Sequence, residues 1–141
     1  MTGHAFFDTN VLIYALAQED RRCGPAEELL ALGGVISVQV LNEFASVARR
    51  KLLMPWPDVT EAIAAVLELC PKPVPITLEL HQSALRIAER YLYGIYDALV
   101  VVAALHAQCE VLYSEDFRDG QTIDGQLEIR NPFGGSGSTK G

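Results

Sequence analysis

At 141 residues, half of them hydrophobic, the chain is sized for one soluble domain able to bury about 68% of its unfolded surface without disulfide or metal staples. A net charge of −7 excludes a protein that grips polyanions through bulk positive charge, so a nucleic-acid partner has to be held locally. The longest strongly apolar stretch, residues 98–107, falls short of the about 20 residues needed to span a bilayer, which predicts no membrane role. Cys23, Cys70 and Cys109 are odd in number, widely spaced and form no C-x-x-C pair, and no basic-then-apolar leader opens the chain. Reduced thiols and a cytoplasmic setting are therefore expected.

Short apolar runs alternate with amphipathic segments along the chain, the pattern of a parallel sheet flanked by helices. A first strand is predicted at 4–8 and a helix at about 11–18. Gly24-Pro25 starts a second helix through Leu32, with proline suited to a first turn and Gly33-Gly34 to a helix end. Residues 35–37 read as a strand. Val40, Phe44 and Val47 at helical spacing then mark a helix to about Leu53, closed by Met54-Pro55-Trp56-Pro57. Asp58 with Glu61 resembles a capping box for a helix through Leu69. Pro71, Pro73 and Pro75 space out a connector, and 74–77 is a short strand candidate.

Leu80, Ala84, Ile87 and Ala88, followed by Tyr91, describe one face of a helix that stops near Gly94. Residues 97–108 are apolar on nearly every side and read as a helix wedged in the core. A buried strand at 111–114 and an edge strand at 127–130 follow, terminated by Asn131-Pro132-Phe133. The tail 134–141 has the composition of a flexible, appended linker, which leaves 1–133 as the folding unit. Local positive charge is offered by Arg49-Arg50-Lys51, Arg86 with Arg90, Arg21-Arg22 and Arg118. Arg49-Arg50-Lys51 equally suits a helix end, where cations meet the negative end of the dipole.

Four acids stand where strands pass into turns or helices: Asp8 in Asp8-Thr9-Asn10, Glu43 after Asn42, Asp97 in Tyr96-Asp97-Ala98, and Asp116 in Ser114-Glu115-Asp116. Taken singly, Asp8 and Asp97 suit helix caps, Glu43 a solvated helix position and Asp116 a turn, with Asp119-Gly120 a better turn nearby. Topology favours a joint reading. Right-handed crossovers between parallel strands bring successive strand ends to one carboxyl edge, where open α/β sheets hold ligands. Thr9, Asn10 and Ser114 are small polar side chains at the same edge, able to orient carboxylates and waters. Two like charges ~4 Å apart repel by about 4 kcal/mol at an effective dielectric of ~20, so such a cluster takes up protons or a divalent cation. Oxygen-only donors favour Mg²⁺ or Mn²⁺, while His4, His81 and His106 are dispersed and read as surface or satisfied core histidines.

The order Asp8-Thr9-Asn10, Asn42-Glu43, Tyr96-Asp97-Ala98, Ser114-Glu115-Asp116 and Asn131-Pro132-Phe133 resembles the PIN-domain ribonucleases, more narrowly the VapC-like toxins of toxin-antitoxin pairs. The resemblance runs from Phe6 to Phe133 and rests on order and spacing. It implies a three-layer α/β/α sandwich with a central parallel sheet, and a Mg²⁺-dependent endoribonuclease leaving 5′-phosphate and 3′-hydroxyl ends. Asp8, Glu43 and Asp97 match the family's three principal acids and Asp116 the fourth, with Ser114 where a threonine or serine is usual. Metal ligation then falls to Asp8, Asp97 and Asp116, with Glu43 as a further ligand or water-orienting base. Thr9 and Asn10 are left to orient carboxylates or substrate, and Glu115 and Asp119 lie at the pattern's margin. The implied partners are an RNA substrate, a cognate antitoxin presenting a basic side chain to the acidic groove, and a second copy in a homodimer. Two rival classes are a phosphotransfer enzyme with Asp8 as nucleophile or phosphoacceptor and a non-catalytic interaction module. The first is disfavoured by Asn10, which stands where dehalogenase-like phosphatases carry a second aspartate.

Overall fold

The computed structural model describes residues 4–134. Its elements in chain order are β1 (Ala5–Phe7), α1 (Thr9–Leu16), α2 (Cys23–Ala31), α3 (Val38–Arg50), α4 (Trp56–Leu69), α5 (Leu78–Tyr91), α6 (Ile95–His106), β2 (Val111–Tyr113), β3 (Thr122–Ile123) and β4 (Leu127–Arg130). The strands pair in the order β1-β2-β4-β3, parallel through β1, β2 and β4 and antiparallel between β3 and β4. On the far side of β1, parallel bridges Phe6 to Val35 and Ser37 to Val74 continue the same sheet. The architecture is the expected α/β one, a parallel centre flanked by helices, with one antiparallel strand at its edge.

The edge differs from expectation. Residues 127–130 form an inner strand between β2 and β3. Asp124 and Gly125 both take positive φ, 52° and 66°, and Gln126 N donates to Ile123 O at 2.9 Å. An Asp-Gly pair in that conformation is the favoured hairpin turn, and it folds the two-residue β3 back on β4. The 35–37 and 74–77 segments contribute single bridges, and Thr77 serves instead as the N-cap of α5, accepting from Leu80 N at 3.0 Å.

Local chemistry sets the helix starts. Ser37 caps α3 by accepting from Val40 N at 3.1 Å, and Asp8 caps α1 by accepting from Thr9 N. α4 begins at Trp56, before the capping box expected at Asp58 and Glu61, because Pro55 and Pro57 already fix the φ angles of its first turn. Asp58 lies inside that turn, where a carboxylate favours the helix dipole. α6 is buried at every residue from Ala98 to Ala104, as its all-round apolarity requires.

The core joins Phe6, Ile36, Phe44, Leu112 and Ile129, all without solvent exposure. Cys23, Cys70 and Cys109 are buried free thiols, and burial pushes Cys70 and Cys109 up to about 11, which makes them poor nucleophiles at neutral pH. No described helix is long and apolar enough to cross a membrane. The tail expected at 134–141 lies, but for Gly134, outside the described residues.

Gly33 and Gly34 do different work. Gly33 takes φ of 81° just past α2, as a helix-ending glycine does. Gly34 has no room for a side chain, since a Cβ there would lie 2.6 Å from the Phe7 ring and 2.8 Å from Ala5 O. That close approach lets the 35–37 segment hydrogen-bond to β1 through Val35 N to Ala5 O at 2.9 Å. Gly34→Ala should therefore destabilise the protein by about 1–3 kcal/mol, read as a lowered urea midpoint with unchanged slope.

Candidate functional site

The register of β1 on β2 builds the site. Phe7 pairs with Tyr113, so the residues that follow, Asp8 and Ser114, emerge side by side at the carboxyl edge of the sheet. Asp8 N donates to Tyr113 O at 3.1 Å, and Ser114 N to Arg130 O at 3.0 Å, which fixes both backbones. Val35 bridges Phe6 on the other side of β1, and Ser37, two residues on, starts α3 at the same edge. Four of the predicted residues are thereby joined through side chains. Ser114 Oγ donates to Asp8 Oδ2 at 2.7 Å, and Thr9 Oγ1 donates to Glu43 Oε1 at 3.0 Å.

Asn10 and Asp116 complete the web. Asn10 Nδ2 reaches Asp116 Oδ2 at 3.2 Å and Ser114 Oγ at 3.4 Å, while Asp116 N donates to Ser114 Oγ at 3.0 Å. Asp97 arrives from α6, as its third residue, with Gly94 rather than Asp97 as N-cap. Asp8 does cap its helix, so its cap role and its place in the web coincide. Glu43 is exposed on α3, as a solvated helix position predicts, although Phe44 beside it in sequence is buried. Helical phase explains this, since neighbours in sequence on a helix point in different directions.

Electrostatics shows the acids sharing one field. Asp8, only 4% exposed, is raised from 3.8 to about 7, chiefly by burial, with the charges of Asp116 and Glu43 adding to it. Hydrogen bonds from Ser114 and the Thr9 amide oppose the shift without cancelling it. Burial also raises Asp97, and Asp116 and Glu43 again add to the shift. None of the ion pairs among the described residues reaches Asp8, Glu43, Asp97 or Asp116.

The donor chemistry fits a hard divalent cation: carboxylate oxygens around a buried, uncompensated charge. Asn10 Oδ1 is buried without a hydrogen-bond partner among the described residues, an acceptor that a water or hydrated ion satisfies. The carboxylates stand apart, however, and no three described Asp, Glu, His or Cys side chains form a ready metal cage.

The two marginal acids have other partners. Glu115 turns to a network on α1 and the α1–α2 connection, where it accepts from the Tyr14 hydroxyl and from Arg22 Nη1 at 3.3 Å. Arg22 also donates to the Tyr14 hydroxyl at 2.7 Å, lies over the Tyr14 ring at 3.8 Å from its centroid, and forks onto Asp20. Arg22, expected as local positive charge, is thus spent on Asp20 and Glu115. Asp119 accepts from Asn131 N at 2.8 Å and ties the turn after β2 to the end of β4. Tyr14 and Arg22 carried no sequence signal as neighbours of the site, because their contacts to Glu115 span 101 and 93 residues.

The PIN domain family's sequence pattern matches residues 5–120. Among solved structures, a toxin-antitoxin complex from Klebsiella pneumoniae superposes with a TM-score of 0.69 at 21% identity, over 92% of this chain and 98% of that one. The sarcin-ricin loop cleaving toxin VapC20 from Mycobacterium tuberculosis gives 0.66 at 21% identity, over 79% and 91%. VapBC2 from Rickettsia felis, bound to a promoter DNA fragment, gives 0.62 at 18%, over 90% and 98%. At these identities the likeness is one of fold. No curated protein matches the sequence.

Asp8 makes stability depend on pH. Its folded value lies above its unfolded one, so the stabilisation is full below about pH 4 and is lost as pH rises through about 7. At ~1.4 kcal/mol per pH unit, ionised Asp8 costs about 4 kcal/mol at the upper end. In EDTA, the stability advantage of Asp8→Asn over wild type should widen by about 3 kcal/mol between pH 5 and pH 8, measured by urea unfolding. An advantage that stays constant with pH contradicts the assignment.

Proposed function

This chain belongs to the PIN domain family, and from that premise we propose that it is a metal-dependent endoribonuclease, the toxin of a toxin-antitoxin pair. The observation that carries the reading is the Asp8–Ser114–Asn10–Asp116 web, with Thr9 and Glu43 beside it and no cation paired to any of its acids among the described residues. A phosphodiester is hydrolysed by an activated water and by positive charge at the phosphoryl oxygens, and a set of acids without cationic partners offers a seat for that charge. In this reading Asp8, Asp97 and Asp116 hold Mg²⁺, or Mn²⁺ in its place, and the ion when bound supplies a water of lowered pKa and an electrostatic sink for developing charge.

The chain's own groups have the remaining work. Ser114 Oγ and Thr9 N grip the two Asp8 oxygens, which keeps that carboxylate in one orientation. Thr9 Oγ1 holds Glu43, the further ligand or water-orienting base, from a position one residue past Asp8. Asn10 sets Asp116 against Ser114, so a displacement of either strand end disturbs both acids. Glu115 is kept out of the set by Tyr14 and Arg22, which limits the acids competing for a cation.

The protein partner in this reading is an antitoxin that inserts a basic side chain among the acids, favoured by charge complementarity. An apolar groove of about 270 Å³, bordered by Leu12, Leu16, Leu30, Phe44, Val66 and Leu69, is the surface we assign to that partner's apolar segment. The complexes from Klebsiella pneumoniae and Rickettsia felis support a partner of this class. A homodimer working in the cytoplasm completes the proposal.

Purified protein should cleave single-stranded RNA in Mg²⁺ and not in EDTA, leaving 5′-phosphate and 3′-hydroxyl ends on sequencing. Asp97→Asn should lower the rate by roughly a hundredfold or more while its melting temperature equals or exceeds that of wild type, because a carboxylate in a repulsive field is removed. Wild-type cleavage by Asp97→Asn would exclude Asp97 from the chemistry.

A further inference from the structure

On the reading that the substrate is RNA, we infer that the corner between α3 and α4 is its holding surface: Arg50 and Lys51 take backbone phosphates beside the cut, and Trp56 stacks a base. A chain of net charge −7 needs a local cationic site to hold RNA, and three of its eight arginines are neutralised by carboxylates among the described residues. Arg22, Arg90 and Arg130 pair with carboxylates. Arg49 and Arg50 bond neutral acceptors instead, Met54 O at 3.0 Å and Ser46 Oγ at 3.5 Å, and so keep their full charge. Arg86 also bonds a neutral hydroxyl, but its neighbour one turn on, Arg90, is neutralised by Asp124.

The corner is aligned with the acids. Glu43 and Arg50 are seven residues apart on α3, which places them on one helix face about two turns, or ~10 Å, apart. Both are exposed. A strand of RNA whose scissile phosphate lies at Glu43 therefore meets the cations with a neighbouring phosphate. Helix-end capping does not account for Arg49, since its guanidinium reaches past the helix to Met54 O and lies over the Trp56 ring, 4.8 Å from the centroid.

Trp56 has the form of a stacking platform. It is 59% exposed, with one face against Arg49, and its backbone is held between Pro55 and Pro57. Little freedom remains to be lost when a base settles on it, and a base stacked on an aromatic side chain is held irrespective of sequence. Cations and an exposed ring together suit single-stranded RNA better than an apolar partner segment.

Trp56 is the chain's one tryptophan, so its emission reports this surface alone. Full-length Asp97→Asn protein in Mg²⁺ is titrated with a short single-stranded RNA of mixed sequence, and end-labelled RNA gives affinities for further variants in that background. Trp56 emission should be quenched to saturation. Trp56→Ala should bind roughly tenfold more weakly and Trp56→Phe within about twofold of the parent. Arg50→Ala with Lys51→Ala should lower the slope of log affinity against log salt by about 0.7 for each cation removed. RNA binding with unmoved emission and equal affinities overturns the inference, as does an emission shift that follows protein concentration without RNA, the mark of a second copy on this face. Wild-type cleavage assayed in parallel tests the nuclease reading separately. Cleavage with unaffected variants defeats the inference alone, whereas no cleavage in Mg²⁺ defeats the reading itself.

Discussion

Asp8 sits almost without solvent between the Thr9 amide and the Ser114 hydroxyl, and the cost of an ionised carboxylate there constrains everything around it. Two hydrogen bonds from neutral donors do not offset the loss of water, since burial remains the largest influence on the group. A fold tolerates such a residue only where the surrounding structure holds it in place. The in-register pairing of β1 with β2 does so, because both donors sit on backbone already fixed by the sheet and by the first turn of α1.

The rest of the site follows from the same strand ends. Ser114 links Asp8 to Asp116 and Asn10, so one hydroxyl correlates the positions of two acids contributed by segments about a hundred residues apart. Thr9 extends the web to α3. The Tyr14–Arg22–Glu115 network braces the turn after β2 from outside, with the Tyr14 ring packed edge-on against Phe133 at 5.0 Å. Charge is thereby sorted by position. Glu115 is neutralised, while Asp8, Glu43, Asp97 and Asp116 are left to repel one another.

What could be read from the chain was what local pattern encodes. Apolar runs ending in Asp8 and Ser114 marked the strand ends, and the unbroken apolarity of 98–104 marked a core helix. Features that depend on partners remote in sequence were not legible. The two-residue β3 is too short to show periodicity, although Asp124-Gly125 carried a turn signal that would have found it. Arg22 looked like free positive charge because Glu115, 93 residues on, is invisible beside it. Asp97 has the side chain of a cap, whereas the N-cap of α6, Gly94, offers no side-chain signal in the sequence.

Carbon-detected NMR titration of the Asp8 carboxyl, with and without Mg²⁺, reaches the central claim most directly. On the proposed metal-binding reading, Asp8 should titrate at about 7 in metal-free protein and move well down when Mg²⁺ is added, with Ser114 and Asp116 resonances shifting together. An Asp8 that titrates near its ordinary 3.8 in metal-free protein and ignores Mg²⁺ would contradict the account.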